Sequence, residues 1–235
     1  MRDQATILHD GKGAEVSVQP LRPDLLSDAV DVLSRSFSDN PNFKDLFPDD
    51  KVRVQSLPHV QHACVLDAFR SGYVHAAIQD NKVLGTAVWL PSGAFPLSPL
   101  RQLRTAPDMF RIMARSPRSL PRLICFASAM AELHPTQPYW YLEVIGVDPA
   151  AQGMGIGARL LKHGIALADE AGQACYLETM TERNVAWYEE FGFEARKSEV
   201  SFVPNGPPNW TMLRRPSRSP SLQNGEDSIV TGDNL

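Results

Sequence analysis

Val144-Ile145-Gly146-Val147-Asp148-Pro149, then Gln152-Gly153-Met154-Gly155-Ile156-Gly157 and Leu160-Leu161, is the stretch on which the reading of this chain turns. Tyr139 to Val147 is an apolar run of strand length, and Ile156 to Ala171 carries apolar residues at helical spacing. The glycines therefore stand where a strand hands over to a helix. At such a point the first helical amides have no intrahelical acceptor and the helix presents its positive end, while glycine lets the main chain approach a ligand closely. The pattern predicts an anion site and a phosphate-bearing cofactor. A glycine-rich turn also serves simply to pack a helix on a strand, so the flanking residues must decide. The spacing is G-x-G-x-G, no acidic residue closes a second strand, and no Lys-Ser/Thr follows, which weakens the dinucleotide and P-loop readings.

Those flanks are similar to the strand, pyrophosphate loop and helix of the GCN5-related N-acetyltransferase (GNAT) superfamily. Tyr176-Leu177-Glu178-Thr179, then Arg183-Asn184, Tyr188 and Gly192-Phe193, resemble its next strand and following helix. Within the superfamily the chain looks most like puromycin N-acetyltransferase-like members, through Ala87-Val88-Trp89, Trp140-Tyr141-Leu142 and Asn209-Trp210-Thr211-Met212. The likeness covers 16–215 and is strong after Tyr139. It implies an α/β (α+β) fold with a mixed, mostly antiparallel twisted sheet, splayed central parallel strands and flanking helices. It also implies acetyl-CoA as cosubstrate. Ile145 and Val147 would offer main-chain groups to the pantetheine arm. Gln152, Gly153, Met154, Gly155, Ile156, Gly157 and Ala158 would hold the pyrophosphate, and Asn184 would position the cofactor. Gly146 either eases a bulge that splays the strands or is a packing glycine.

Acetyl transfer to an amine needs a base for the ammonium, oxyanion stabilisation and a proton for the departing thiolate. Asn184 and Tyr188 are four apart and share a helical face, which the resemblance directs at the cofactor. Tyr188, with a phenol pKa near 10, is the candidate acid; a buried tyrosine bonding a carbonyl is its plainer account. Glu143 shares strand parity with Tyr141 and Ile145, and a carboxylate at that depth has a raised pKa suited to a base. Puromycin-type members do not require glutamate there, so solvent or another residue is an alternative, with Glu178 and Asp39 among the candidates. For Glu178, bonding to local backbone is the ordinary reading.

The 235 residues are 43% hydrophobic with a net charge of −4, enough for one substantial core and without the polybasic run of a nucleic-acid or anionic-membrane binder. Apolar stretches fall short of a membrane span and Met1-Arg2-Asp3-Gln4 leads into no signal core, so a cytoplasmic protein is expected. Cys64, Cys125 and Cys175 offer neither a disulfide framework nor a thiolate zinc site. His59 and His62 lack a carboxylate to complete a ligand set, so no metal is expected.

Residues 1–14 read as a flexible leader, 15–215 as a single N-acetyltransferase domain, and 216–235 as a disordered tail. Val16, Val18 and Leu21 suggest a first strand. Helices follow from Pro23 toward Phe37, ending near Asp39-Asn40-Pro41, and over about Asp50 to Arg70. A hairpin then turns at Asp80-Asn81. Residues 91–138 form a helical insertion, with patterns around Leu100–Ala114 and Leu120–Leu133. Its arginines, Arg101, Arg104, Arg111, Arg115, Arg118 and Arg122, read as a solvated face, with Met109, Phe110 and Met113 toward the core. Trp140, Phe202 and Trp210 suit an interface or a core equally.

The leading reading is direct acetyl transfer from acetyl-CoA to a small-molecule amine acceptor. Transfer to a protein or peptide amine, and a non-catalytic acyl-CoA sensor, are the rivals. Monomer and homodimer are both open.

Overall fold

The computed structural model describes residues 6–7 and 15–217. The element order is β1 (Thr6–Ile7), β2 (Ser17–Pro20), α1 (Leu26–Ser36), α2 (Pro41–Leu46), α3 (Asp50–Ser71), β3 (Tyr73–Gln79) and β4 (Lys82–Leu90). It continues with α4 (Pro99–Arg115), α5 (Leu120–Leu133), β5 (Tyr139–Val147), α6 (Ile156–Glu170), β6 (Ala174–Thr179), α7 (Glu182–Glu189), β7 (Glu194–Ser201) and β8 (Pro208–Arg214). Within the expected leader, Thr6–Ile7 pair antiparallel with β2. The rest of 1–14, and 218–235, lie outside the described residues.

Local chemistry explains the boundaries. Asn40 caps α2 by accepting from the amides of Asn42 and Phe43, and Pro41 takes the first helical position, where its missing N–H costs nothing. This short helix opens at Asn40-Pro41, where only the end of the preceding helix was expected. Asp49 caps α3 through Val52 N at 2.9 Å. Asp80 and Asn81, with φ of 49° and 61°, make the left-handed two-residue turn that suits a twisted β3–β4 hairpin.

The strand order is β1-β2-β3-β4-β5-β6-β8-β7, and every neighbour is antiparallel except β5 and β6. Helices α1 and α3 cover one face, burying Leu33, Val65 and Ala68 with Val88, Tyr141 and Tyr176. Helix α6 covers the other, burying Leu160 and Leu161 with Trp89, Trp140 and Leu177. Trp140, Phe202 and Trp210 are buried, so these aromatics belong to the interior. No helix among the described residues is long and apolar enough to cross a membrane.

α6 lies so close to β4 that a Cβ on Gly164 would sit 2.1 Å from the indole of Trp89, itself fully buried. Gly164→Val is expected to cost about 3 kcal/mol, the upper range for overpacking, because neither helix nor ring has room to retreat. A lowered urea midpoint at unchanged m-value is the check.

Two features of the sheet create the site. Parallel pairing of β5 with β6 covers only Tyr139, Trp140 and Tyr141 against Ala174, Cys175 and Tyr176, after which the strands diverge. Pairing of β5 with β4 also slips by one residue: Val144 opposes Val88, but Leu142 opposes Trp89. Glu143 is thus the extra, bulged residue, so of the two readings of Gly146 the bulge does not hold. Gly146 is a packing glycine, since a Cβ there would meet Ser36 Oγ at 2.2 Å and Leu33 at 2.9 Å. The slip also corrects the parity of Glu143. Tyr141 and Val144 pack on the α1/α3 face whereas Leu142 and Ile145 pack on the α6 face, so Glu143 shares a face with Tyr141 but not with Ile145.

Candidate active site

At the wide end of the β5–β6 opening, the chain leaves β5 through Asp148. Its carboxylate accepts from Ala150 N at 3.0 Å and from Arg35 at 3.0 and 2.5 Å. The Ala150 amide first, and then Arg35, hold that carboxyl below the usual carboxylate range. The loop is therefore fixed before the glycines begin. Gly153 and Gly155 have φ of 82° and 74°, and nothing lies within 4 Å of a Cβ built on either. Gly155 caps α6 with no side-chain acceptor and no acidic residue in the first turn. The amides of Ile156, Gly157 and Ala158, which have no partner within the helix, head an open space at its positive end.

The exposed edge of β5 is equally available. Asp148 N donates to Leu84 O. The alternation of an antiparallel ladder then turns Gly146 toward β4 and aims the N–H and C=O of Ile145 and Val147 into the opening. Val147 O accepts from the Gln152 side chain at 3.3 Å, which ties the loop to the strand. A Cβ on Gly157 would lie 3.6 Å from Val147 and 3.7 Å from Trp187, so β5, α6 and α7 converge here. Met154 is exposed.

α7 starts at Thr181, whose hydroxyl accepts from Asn184 N at 3.2 Å. Asn184 is exposed, while Tyr188, one turn on, is buried edge-on to Phe193 and Trp187. Burial pushes the Tyr188 phenol above its ordinary value, so it keeps its proton. It stands among the side chains of the α6 face.

Glu143 stands on the opposite face. Burial raises its carboxyl to about 8 and the charge of Asp67 adds to this, while the Cys64 thiol and Arg101 pull it down. Cys64, outside the sequence motifs, thus meets the Glu143 carboxyl. Asp67 on α3 is held by Arg101 on α4, whose Nε lies 2.8 Å from Oδ1 and whose Nη2 bonds Oδ2. Their side chains are only 2% and 11% exposed.

The insertion is built differently from its sequence expectation. Arg101 is paired inward, Arg122 grips Asp45 on α2 through Nε at 3.0 Å and Nη2 at 2.6 Å, and Arg111 lies 3.5 Å from Asp108. Asp108 supplies the carboxylate absent from the sequence neighbourhood of His59 and His62, meeting their Nδ1 atoms at 3.0 and 2.6 Å. α4 buries Thr105, Asp108 and Ile112, so the face assigned to the core is corrected: Met109 and Phe110 are exposed. α5 lays Leu123 and Phe126 against Leu46, Phe47 and Ile112, and Phe126 meets Phe202 at 5.2 Å. Among the described residues, no group of three or more His, Cys, Asp or Glu side chains is arranged to hold a metal ion.

Two residues that sequence reasoning undervalued complete the cleft. His134, which caps the end of α5, places Nε2 3.1 Å from Glu178 Oε1 and Nδ1 2.6 Å from the Tyr139 hydroxyl. Glu178 faces a side chain here, and its reading as a backbone-bonded strand end missed that contact. A lone histidine after a helix carries no pattern of its own.

A glycine-opened helix beside splayed parallel strands has known counterparts. The model of the acetyltransferase (GNAT) family matches residues 38–193. The chain belongs to this family. The N-alpha-acetyltransferase RimI of Mycobacterium tuberculosis is 40% identical over 80 residues, 33% of this chain and 49% of that protein. The mycothiol acetyltransferase of Propionibacterium freudenreichii is 36% identical over 74 residues, 30% of this chain and 24% of that one. This GNAT chain therefore spans about half and about a quarter of these two curated relatives. Among solved structures, a Corynebacterium glutamicum protein described as histone acetyltransferase HPA2 and related acetyltransferase has a TM-score of 0.64 at 25% identity, covering 87% of this chain and 98% of its own. A putative GNAT acetyltransferase of Desulfovibrio desulfuricans, with a TM-score of 0.53 at 16% identity over 85% of this chain and 98% of its own, shares the fold.

Proposed function

We propose that the protein is an acetyl-CoA-dependent N-acetyltransferase that moves an acetyl group to a small-molecule amine by direct attack on the thioester. The observation that carries this reading is the opening between β5 and β6. It has free amides of α6 at one end, the main-chain groups of Ile145 and the N–H of Val147 along it, and a carboxyl and a phenol on its two faces. The α6 amides are suited to the diphosphate of coenzyme A, and the β5 edge to its amide-bearing arm. Gln152 and Gly146 act by fixing the loop and the helix approach, while Asn184 lies at the exposed start of α7.

In this reading Glu143 takes a proton from the acceptor's ammonium on the α1/α3 face. The freed amine forms the C–N bond as the C–S bond breaks, the Tyr188 hydroxyl gives its proton to the departing sulfur from the other face, and the second proton shed by the new amide nitrogen restores the phenol through water. No enzyme nucleophile is needed. We take the insertion as the element that shapes the acceptor side, with α5 packed through Leu123 and Phe126 on Leu46, Phe47, Ile112 and Phe202. The likeness of Trp140-Tyr141-Leu142 to puromycin-type members points to a small acceptor. Three cysteines, all free, suit a reducing cytoplasm.

Release of free thiol from acetyl-CoA across an amine panel tests the reading. Tyr188→Phe is expected to lower kcat by about 10²-fold, within the range for loss of a general acid. Binding of acetyl-CoA without thiol release for any amine would favour a sensor instead. Faster transfer to peptide N-termini than to every small amine would favour a protein acceptor.

A further inference from the structure

Around the β5–β6 opening three polar atoms are buried without a hydrogen-bond partner: Glu143 Oε2, Glu178 Oε1 and His134 Nε2. Unsatisfied buried polar groups are costly, and three converging on one place point to a ligand that supplies what they lack. Continuing the parallel register of Tyr141 with Tyr176 sets Glu143 and Glu178 level on the two walls. Both lie on the face that carries Tyr141 and Tyr176, and the Glu178 charge is felt at Glu143. His134 and Glu178 have side chains only 5% exposed, and their 3.1 Å approach is at ion-pair distance but off the hydrogen-bond direction.

Asp67 is neutralised by Arg101, and burial raises the Glu143 carboxyl to about 8 so that it holds its proton at neutral pH, which leaves Glu178 beside the His134 imidazole, with Arg196 acting from the Tyr176 side. Aromatic rings form the remaining walls: Phe95 stacks on His134 at 3.9 Å, and Tyr141 and Tyr176 lie 4.6 and 4.7 Å from it. The Tyr141 and Tyr176 hydroxyls also bear on the Glu178 carboxyl, but its Oε1 keeps an open acceptor position ringed by aromatic faces, which suits a cation with several N–H donors.

We propose that Glu178, oriented by His134, binds the ammonium of the acceptor and so selects alkylamines over arylamines. Glu178 touches the substrate in this scheme, whereas His134 is a positioning residue acting through it. The inference rests on the N-acetyltransferase reading for the identity of the acceptor. Two probes of similar size separate the classes: 2-phenylethylamine, cationic at neutral pH, and 4-ethylaniline, uncharged there. Wild type is expected to prefer the former in both kcat/KM and calorimetric binding to the CoA-loaded protein. Glu178→Gln should raise KM and Kd for 2-phenylethylamine about 10- to 100-fold, the worth of a charged hydrogen bond, with little change in kcat, in KM for acetyl-CoA or in either constant for 4-ethylaniline. His134→Gln should move the same constants in the same direction by less.

A structural role would weaken both amines together. Equal loss for both probes, loss for neither, or a wild type without preference overturns the proposal. If no amine is acetylated by the wild type, yet 2-phenylethylamine binds and Glu178→Gln abolishes that binding, the cation site stands and the transferase reading falls.

Discussion

Glu143→Gln is expected to lower kcat by about 10²- to 10⁴-fold, the range for a general base, while leaving acetyl-CoA affinity unchanged. The carboxyl is raised to about 8, chiefly by burial, so the basic form grows as pH rises. Wild-type kcat/KM should therefore climb through about pH 8, and the variant should lack that limb. Stability moves the other way. A carboxyl that holds its proton more tightly when folded stabilises fully below its ordinary value and loses that contribution as pH rises through its folded value. The wild type should lose up to about 1.4 kcal/mol for each pH unit across that window, and the amide variant should not. Urea unfolding of both proteins at pH 5 and pH 9 would read this divergence. A variant that keeps the activity limb, or that tracks the wild type in stability at both pH values, removes Glu143 from the role of base.

Gly155→Asp should abolish coenzyme A binding at ordinary concentrations without unfolding the chain. The residue sits at φ 74° with nothing within 4 Å of where a Cβ would stand, so the substitution meets no clash. Left-handed backbone costs an aspartate about 1–2 kcal/mol, and a carboxylate at a helix N-terminus recovers about 0.3–1 kcal/mol. The same carboxylate competes for the α6 amides and repels a diphosphate by about 4 kcal/mol at 4 Å near a protein surface. Kd should rise by about 10²- to 10³-fold in calorimetry, with the urea midpoint nearly unchanged. Unaltered affinity in a folded variant would mean that the diphosphate does not lie on this turn.

The strand, loop and helix around Gly155 were legible because each is punctuated locally. The limits of β5 are those read from its apolar run, and α6 begins at Ile156 as read. The two-residue hairpin at Asp80-Asn81 was legible for the same reason. α2 had its signals too, an Asn cap followed by proline, but six residues carry too little periodicity to stand out. The bulge left no mark, because an extra residue in a uniformly apolar strand changes pairing and not composition. That one residue sends Glu143 to the face of Tyr141 and away from Ile145.

The insertion was misread because its buried face is polar. Arg101 and Asp108 turn inward to Asp67, His59 and His62, partners 34 to 49 positions earlier, so no helical window contains both halves of a pair. Periodicity then assigns the core to Phe110, which solvent in fact bathes. The same blindness hid His134, whose meaning depends on Glu178 across the opening.

The Arg101–Asp67 tie has a consequence for attempts to retarget this scaffold. Transplanting a foreign 91–138 segment would strip the guanidinium from a carboxylate whose side chain is 2% exposed, beside Glu143. Two neighbouring acids would then share one dry recess, and the second would cling to its proton still harder. Insertion and proton acceptor are thus inherited as a unit, and a chimera that keeps its chemistry must bring α3 along with the new insertion.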